Sequence, residues 1–173
     1  MNLNSKIAIV TGASSGLGAQ VSKDLVNKGA LVYGLARSTD KLKKLQQDLG
    51  SNFIPVEMDV TNTDALKTWV STTFNEDNSP DVLINNAGIG YFANVDDLEI
   101  EEWDTMLHVN LSGVFYLTRL IVPLMKENEQ VCHIVNISSI AGIMGNAELS
   151  GYNASKFGLR GFSDALFKEL RYD

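Results

Sequence analysis

The chain is short of cysteine, of histidine and of positive charge, and each shortage removes a class of function. Cys132 is the single cysteine among 173 residues. It has no intramolecular disulfide partner and falls in the apolar run 131–137, where it reads as a small core residue. His108 and His133 stand far apart without ligand or acid–His–Ser spacing around them, so neither a metal site nor a hydrolase triad is expected. Only 14 Lys and Arg face 21 Asp and Glu, a net charge of −7 that repels phosphate backbones and anionic lipid. No unbroken apolar stretch approaches the ~18 residues of a membrane span. Residues 1–6 lack the apolar core of a secretion signal. A soluble, cytoplasmic protein without nucleic-acid or membrane partners is the expectation.

What is there is 45% hydrophobic and 20% charged, enough to bury one substantial core. Short apolar runs near 6–11, 31–36, 53–58, 81–85 and 131–137 alternate with longer periodic ones near 16–28, 40–49, 62–75, 100–127 and 151–171. Such strand–helix units in series predict an α/β fold, a doubly wound parallel sheet of five strands. No linker, repeat or low-complexity stretch divides residues 1–173, which read as one domain. Ligands of open parallel sheets bind at the C-terminal strand ends, where the strand order reverses.

Two motifs carry chemistry. Thr11-Gly12-Ala13-Ser14-Ser15-Gly16-Leu17-Gly18 joins the first apolar run to the first periodic one, a strand–turn–helix in which glycines admit a pyrophosphate to the helix N-terminus. The spacing is looser than the common dinucleotide fingerprint, and a plain structural turn is the alternative. Far downstream, Tyr152 and Lys156 lie four residues apart, one above the other on a helix, with Ser139 thirteen residues before Tyr152. A phenol titrates near 10. An ammonium about 4 Å away at an effective dielectric near 20 stabilises the phenolate by roughly 4 kcal/mol, which would bring Tyr152 into range as an acid or base near neutral pH.

With Asp59-Val60, Asn85-Asn86-Ala87-Gly88, Val109-Asn110 and Ile137-Ser138-Ser139 between them, these motifs make the chain resemble the short-chain dehydrogenase/reductases of the Thr-Gly-x-x-x-Gly-x-Gly and Tyr-x-x-x-Lys type along nearly its whole length. The resemblance implies a Rossmann fold and an NADP(H)-dependent oxidoreductase that interconverts a carbonyl and an alcohol. It implies Tyr152 as proton donor, Ser139 on the substrate oxygen, and Lys156 on Tyr152 and the ribose. Asn110 would hold a water that links Lys156 to solvent; read alone, an amide on that apolar face either satisfies backbone locally or interrupts the helix. Cofactor contacts are implied for Gly12, Ser14, Ser15, Gly16, Leu17, Gly18, Arg37, Ser38, Asp59, Val60, Asn86, Ala87, Gly88, Tyr152 and Lys156.

Ala36 stands where NAD users of the family carry an acid, and Arg37 where many NADP users carry a base, so NADP is favoured over NAD; a solvated surface arginine is the alternative. Ser14 and Ser38 are indistinguishable from ordinary turn serines. Asp59 either meets the adenine edge or caps the helix that starts near 62. Asn86 is expected to steady the sheet.

Helices 100–127 and 151–171 are more apolar than one buried stripe requires. In the family they pair with symmetry mates in a homodimer or homotetramer; burial under further C-terminal segments is the alternative. Family members continue beyond the position of Asp173 into two more strands and a substrate-covering region, so a C-terminally incomplete domain with an exposed fifth strand is expected. Ile89, Tyr91, Phe92, Ile143, Met144 and Leu149 suggest an apolar substrate pocket.

Overall fold

The computed structural model describes residues 2–171; Met1, Tyr172 and Asp173, and with them the expected C-terminal stop, lie outside the described residues. In chain order the elements are β1 (Ile7–Thr11), α1 (Gly16–Asn27), β2 (Leu31–Ala36), α2 (Thr39–Leu49), β3 (Phe53–Glu57), α3 (Thr63–Thr73), β4 (Val82–Asn85), α4 (Ile100–Leu107), α5 (Gly113–Lys126), β5 (His133–Asn136) and α6 (Ser150–Leu170). The strands form one parallel sheet in the order β3-β2-β1-β4-β5. This is the doubly wound Rossmann-like α/β fold.

Side-chain alternation on β1 divides the core. Ala8 and Val10 pack with Leu25, Leu42 and Phe53 on the face covered by α1 and α2. Ile9 packs with Leu66, Val70, Leu117 and Ile121 on the face covered by α3 and α5. Strands buried on both faces need unbroken apolar runs, which is what β1 and β4 supply. Since β1 bonds β2 on one side and β4 on the other, the strand order reverses beside it and opens a crevice at the carboxyl ends.

Three expectations are corrected. The fifth strand spans only His133–Asn136, so Cys132 precedes it and is half-buried, packed against the core from its margin, with its Sγ 3.5 Å from the Gln130 carbonyl. The run 100–127 is not one regular helix, because the π-helical segment His108–Ser112 separates α4 from α5. Ile100–Lys126 is also long enough to cross a membrane, and apolar enough over one 18-residue stretch of mean hydropathy 1.3, by length and composition. It holds no unbroken apolar run of that length, because Asn110, Ser112, Thr118 and Arg119 punctuate the helix. Here Leu117, Ile121 and Met125 sink into the core against the sheet.

Candidate active site

A cleft of about 380 Å³ opens at the carboxyl ends of β1, β2, β3 and β4, lined among others by Gly12, Ser14, Ser15, Arg37, Ser38 and Asp59. Val60, Asn86, Ala87 and Gly88 complete the set of cofactor candidates that the fold brings to this cleft, beside Leu35, Met58, Ile89 and Val109. Gly16, Leu17 and Gly18 form the first turn of α1 and are not among the lining residues. Glycine is required at three positions of the turn, at Gly16 for its φ of +53. Gly12 has φ +66, and a Cβ there would stand 2.9 Å from Asn86 Nδ2. A Cβ on Gly18 would overlap the Gly12 carbonyl oxygen. Ser15 precedes α1 without a side-chain cap and no acid follows in the first turn, so the helix presents free amides and its positive end.

The loops after β1 and β4 are stitched together across the reversal point. Asn86 Nδ2 donates to the Thr11 carbonyl at 2.9 Å, and Thr11 Oγ1 accepts from the backbone N–H groups of Asn86 and Ala87, both at 2.9 Å. Asn86 thus steadies the sheet whatever it binds. Asp59 Oδ1 accepts from Thr61 N at 2.9 Å and Thr61 Oγ1 at 2.7 Å. Burial pushes the Asp59 carboxyl up, yet the Thr61 bonds and the Arg37 charge outweigh it and hold it below its ordinary value. Asp59 is not the cap of α3: that place belongs to Asn62, whose Oδ1 accepts from Ala65 N at 3.0 Å. Arg37 is exposed at the cleft, and no acid stands at positions 36–38.

Asn110 is fully buried inside the π-helical segment. Its Oδ1 accepts from Ile89 N at 2.8 Å, and its Nδ2 donates to the Ile89 carbonyl at 2.8 Å and to Ser155 Oγ at 3.0 Å. The backbone it satisfies is not local, as Ile89 lies 21 residues away, and the helix is interrupted where it stands. π-bulges concentrate at functional sites.

Ser139, Tyr152 and Lys156 lie beside this cleft rather than in its lining. Ser139 caps a short turn, Ile140–Gly142, its Oγ accepting from Ala141 N at 3.2 Å. On α6, the Lys156 ammonium lies 5.8 Å from the Tyr152 ring centroid and donates to the Ile137 carbonyl at 2.8 Å. Only 4% of Lys156 is exposed, and burial lowers its ammonium below the ordinary lysine value. A Cβ added to Gly88 would stand 3.6 Å from Lys156 Nζ and 3.3 Å from Asn110 Oδ1, so the cleft wall, Asn110 and Lys156 are contiguous. Phe92 meets the Tyr152 ring edge-on, centroids 6.2 Å apart. The apolar residues near Tyr152 form an open rim, not an enclosed pocket: Tyr91, Phe92, Ile143 and Met144 are all exposed.

Sequence reasoning passed over Thr11, Asn153 and Ser155 as site residues. All three stood inside the motifs, and only their hydrogen bonds to other segments separate them from ordinary filler. Among the described residues no group of three or more His, Cys, Asp or Glu could hold a metal.

A parallel sheet whose reversal point carries a glycine-rich turn, with a buried lysine and a tyrosine beside the cleft, places the chain in the doubly wound class. Comparison makes this specific: residues 6–173 match the sequence profile of the short chain dehydrogenases, and the chain belongs to that family. It is 34% identical over 170 residues to the 3-oxoacyl-(acyl-carrier-protein) reductase FabG of Vibrio cholerae, an alignment that covers 98% of this chain and 69% of the reductase. A metagenomic short-chain oxidoreductase solved in complex with NADP superposes with a TM-score of 0.92 at 34% identity, covering 99% of this chain and 79% of that one. A short chain dehydrogenase/reductase from Burkholderia phymatum in complex with NAD superposes with a TM-score of 0.93 at 26% identity, over 99% of this chain and 62% of that one.

Proposed function

We propose that the protein is an NADP(H)-dependent reductase of small carbonyl compounds, residues 1–173 acting as its nucleotide-binding domain. The observation that carries the reading is the position of Lys156 Nζ, buried between the cleft wall at Gly88 and the Tyr152 ring. The residues fit a dinucleotide: the α1 N-terminus offers uncapped amides to a pyrophosphate, Arg37 offers a guanidinium to a 2′-phosphate, and Asp59 and Val60 flank the place of an adenine. When bound, NADPH supplies the hydride that the carbonyl carbon receives.

The chain's own groups do the rest. Ser139 holds the substrate oxygen, Tyr152 gives that oxygen a proton, and Lys156 stabilises the phenolate left behind and holds the ribose. A lysine whose burial weakens its hold on the proton is suited to returning one to Tyr152, and Asn110, through its contacts at Ile89 and Ser155, keeps that relay in register. The Vibrio relative's named activity makes β-ketoacyl thioesters the first compounds to try. The exposed aromatic face of α5 and α6, with Phe115, Phe157 and Phe167, supports self-association as a homodimer or homotetramer, measurable by light scattering.

The test follows NADPH consumption by the purified protein with a panel of ketones and β-ketoacyl thioesters. Substrate-dependent consumption is expected. NADPH binding without turnover on any of them would leave a catalytically silent nucleotide-binding protein and overturn the reading, and equal use of NADH would move it to an NAD-dependent dehydrogenase.

A further inference from the structure

The segment between β5 and α6 has no regular structure beyond one short turn, yet it carries Ser139 and the exposed side chains of Ile143 and Met144. A loop of this kind is mobile unless its backbone groups are held. One side chain holds it. Asn153 Nδ2 donates to the Ala141 carbonyl at 2.7 Å and to the Met144 carbonyl at 2.8 Å, and Asn153 Oδ1 accepts from Asn146 N at 3.2 Å. Both amide hydrogens and the amide oxygen are therefore engaged, and the residue is buried. Ala141 is also the residue whose N–H donates to Ser139 Oγ. A two-bond path thus runs from Ser139 through Ala141 to Asn153, the direct neighbour of Tyr152 on α6. The turn is pressed on the helix as well: a Cβ on Gly142 would stand 2.8 Å from the Lys156 carbonyl oxygen.

We propose that Asn153 is a positioning residue, which fixes the distance between the Ser139 hydroxyl and the Tyr152 phenol by clamping residues 141–146 to α6. The inference rests on the roles proposed above for Ser139 and Tyr152. Only an amide does this. A carboxylate of the same shape would face two carbonyl oxygens with no hydrogen to give, and alanine would leave all three backbone groups without this partner. Misplacement by a fraction of the loop's width is enough to matter, because reacting groups held about 1 Å out of place lose roughly a hundredfold in rate.

The experiment uses the full-length protein with Asn153→Asp and Asn153→Ala, each alone and combined with Ser139→Ala, and Tyr152→Phe beside them. Both Asn153 variants are expected to lower kcat about ten- to hundred-fold, keep NADPH affinity within about twofold, and speed amide hydrogen exchange over residues 141–146 only. In the Ser139→Ala background the same substitutions should cost almost nothing, since the hydroxyl they place is already gone. A merely structural role predicts equal losses in both backgrounds, and that result, or an unchanged kcat, overturns the inference. If Tyr152→Phe turns over at the parent rate, the acid–base reading has failed instead; exchange over residues 141–146 then decides, and parent-like exchange in both Asn153 variants overturns the clamp.

Discussion

Asn110 binds both backbone groups of Ile89, accepting from its N–H and donating to its carbonyl, each at 2.8 Å. The contact joins the π-helical segment to the loop that leaves β4 beside the cleft, and the second amide hydrogen continues to Ser155 on α6. Three elements that are remote in sequence meet in one carboxamide. A regular α-helix would carry position 110 round to another face, so the interruption and the contact imply each other.

Asn110→Leu should therefore destabilise the fold as well as silence it. Leucine is close in volume but leaves both part-buried backbone groups of Ile89 unpaired, each worth up to about 1–3 kcal/mol. Urea unfolding is expected to show a loss of at least about 2 kcal/mol with an unchanged m-value. A parent-like midpoint would show that water or a regular helix repairs the gap.

Arg37→Ala tests cofactor choice. A charge-assisted contact to a 2′-phosphate is worth about 1.5–3 kcal/mol, tenfold or more in affinity. NADPH binding should weaken by that factor and NADH binding hardly change, measured by fluorescence titration. Equal losses for both cofactors would assign Arg37 to the cleft's general charge.

Tyr152→Phe removes one oxygen and keeps the ring that meets Phe92 edge-on. Turnover should fall to near background while NADPH affinity stays within a few-fold, because only the proton donor is lost. Retained turnover would refute Tyr152 as the acid.

Lys156 makes a pH prediction. Burial sets its folded-state pKa below the ordinary 10.5. Between the lowered value and 10.5 the unfolded chain holds more protons, so stability rises with pH across that window, and below it the buried charge is a standing cost. Compared with Lys156→Met, the parent should gain urea resistance as pH climbs toward 10.5 and show no relative change at lower pH. The opposite slope would mean that the site holds the ammonium more firmly than water does.

The sequence by itself determined the layers. Period-2 and period-3.6 patterns are local, and they placed five strands and the helices between them to within a few residues, with the glycine turn, Asp59, Asn86 and Ser139 at strand ends where a crevice forms. What only the tertiary structure decided is which polar groups share a hydrogen bond, whether near neighbours such as Asp59 and Thr61 or groups as far apart as Asn110 and Ser155. Asn62 rather than Asp59 caps α3 because Asp59 is turned to Thr61, and helix 100–126 breaks at His108–Ser112 because Asn110 has Ile89 to reach. Cys132 is half-exposed because the edge strand begins after it, and Asn153 stands out from ordinary helix asparagines only because three groups of the preceding loop converge on its amide. Periodicity reports the face a residue occupies; its partner is set by where the crossovers return the chain.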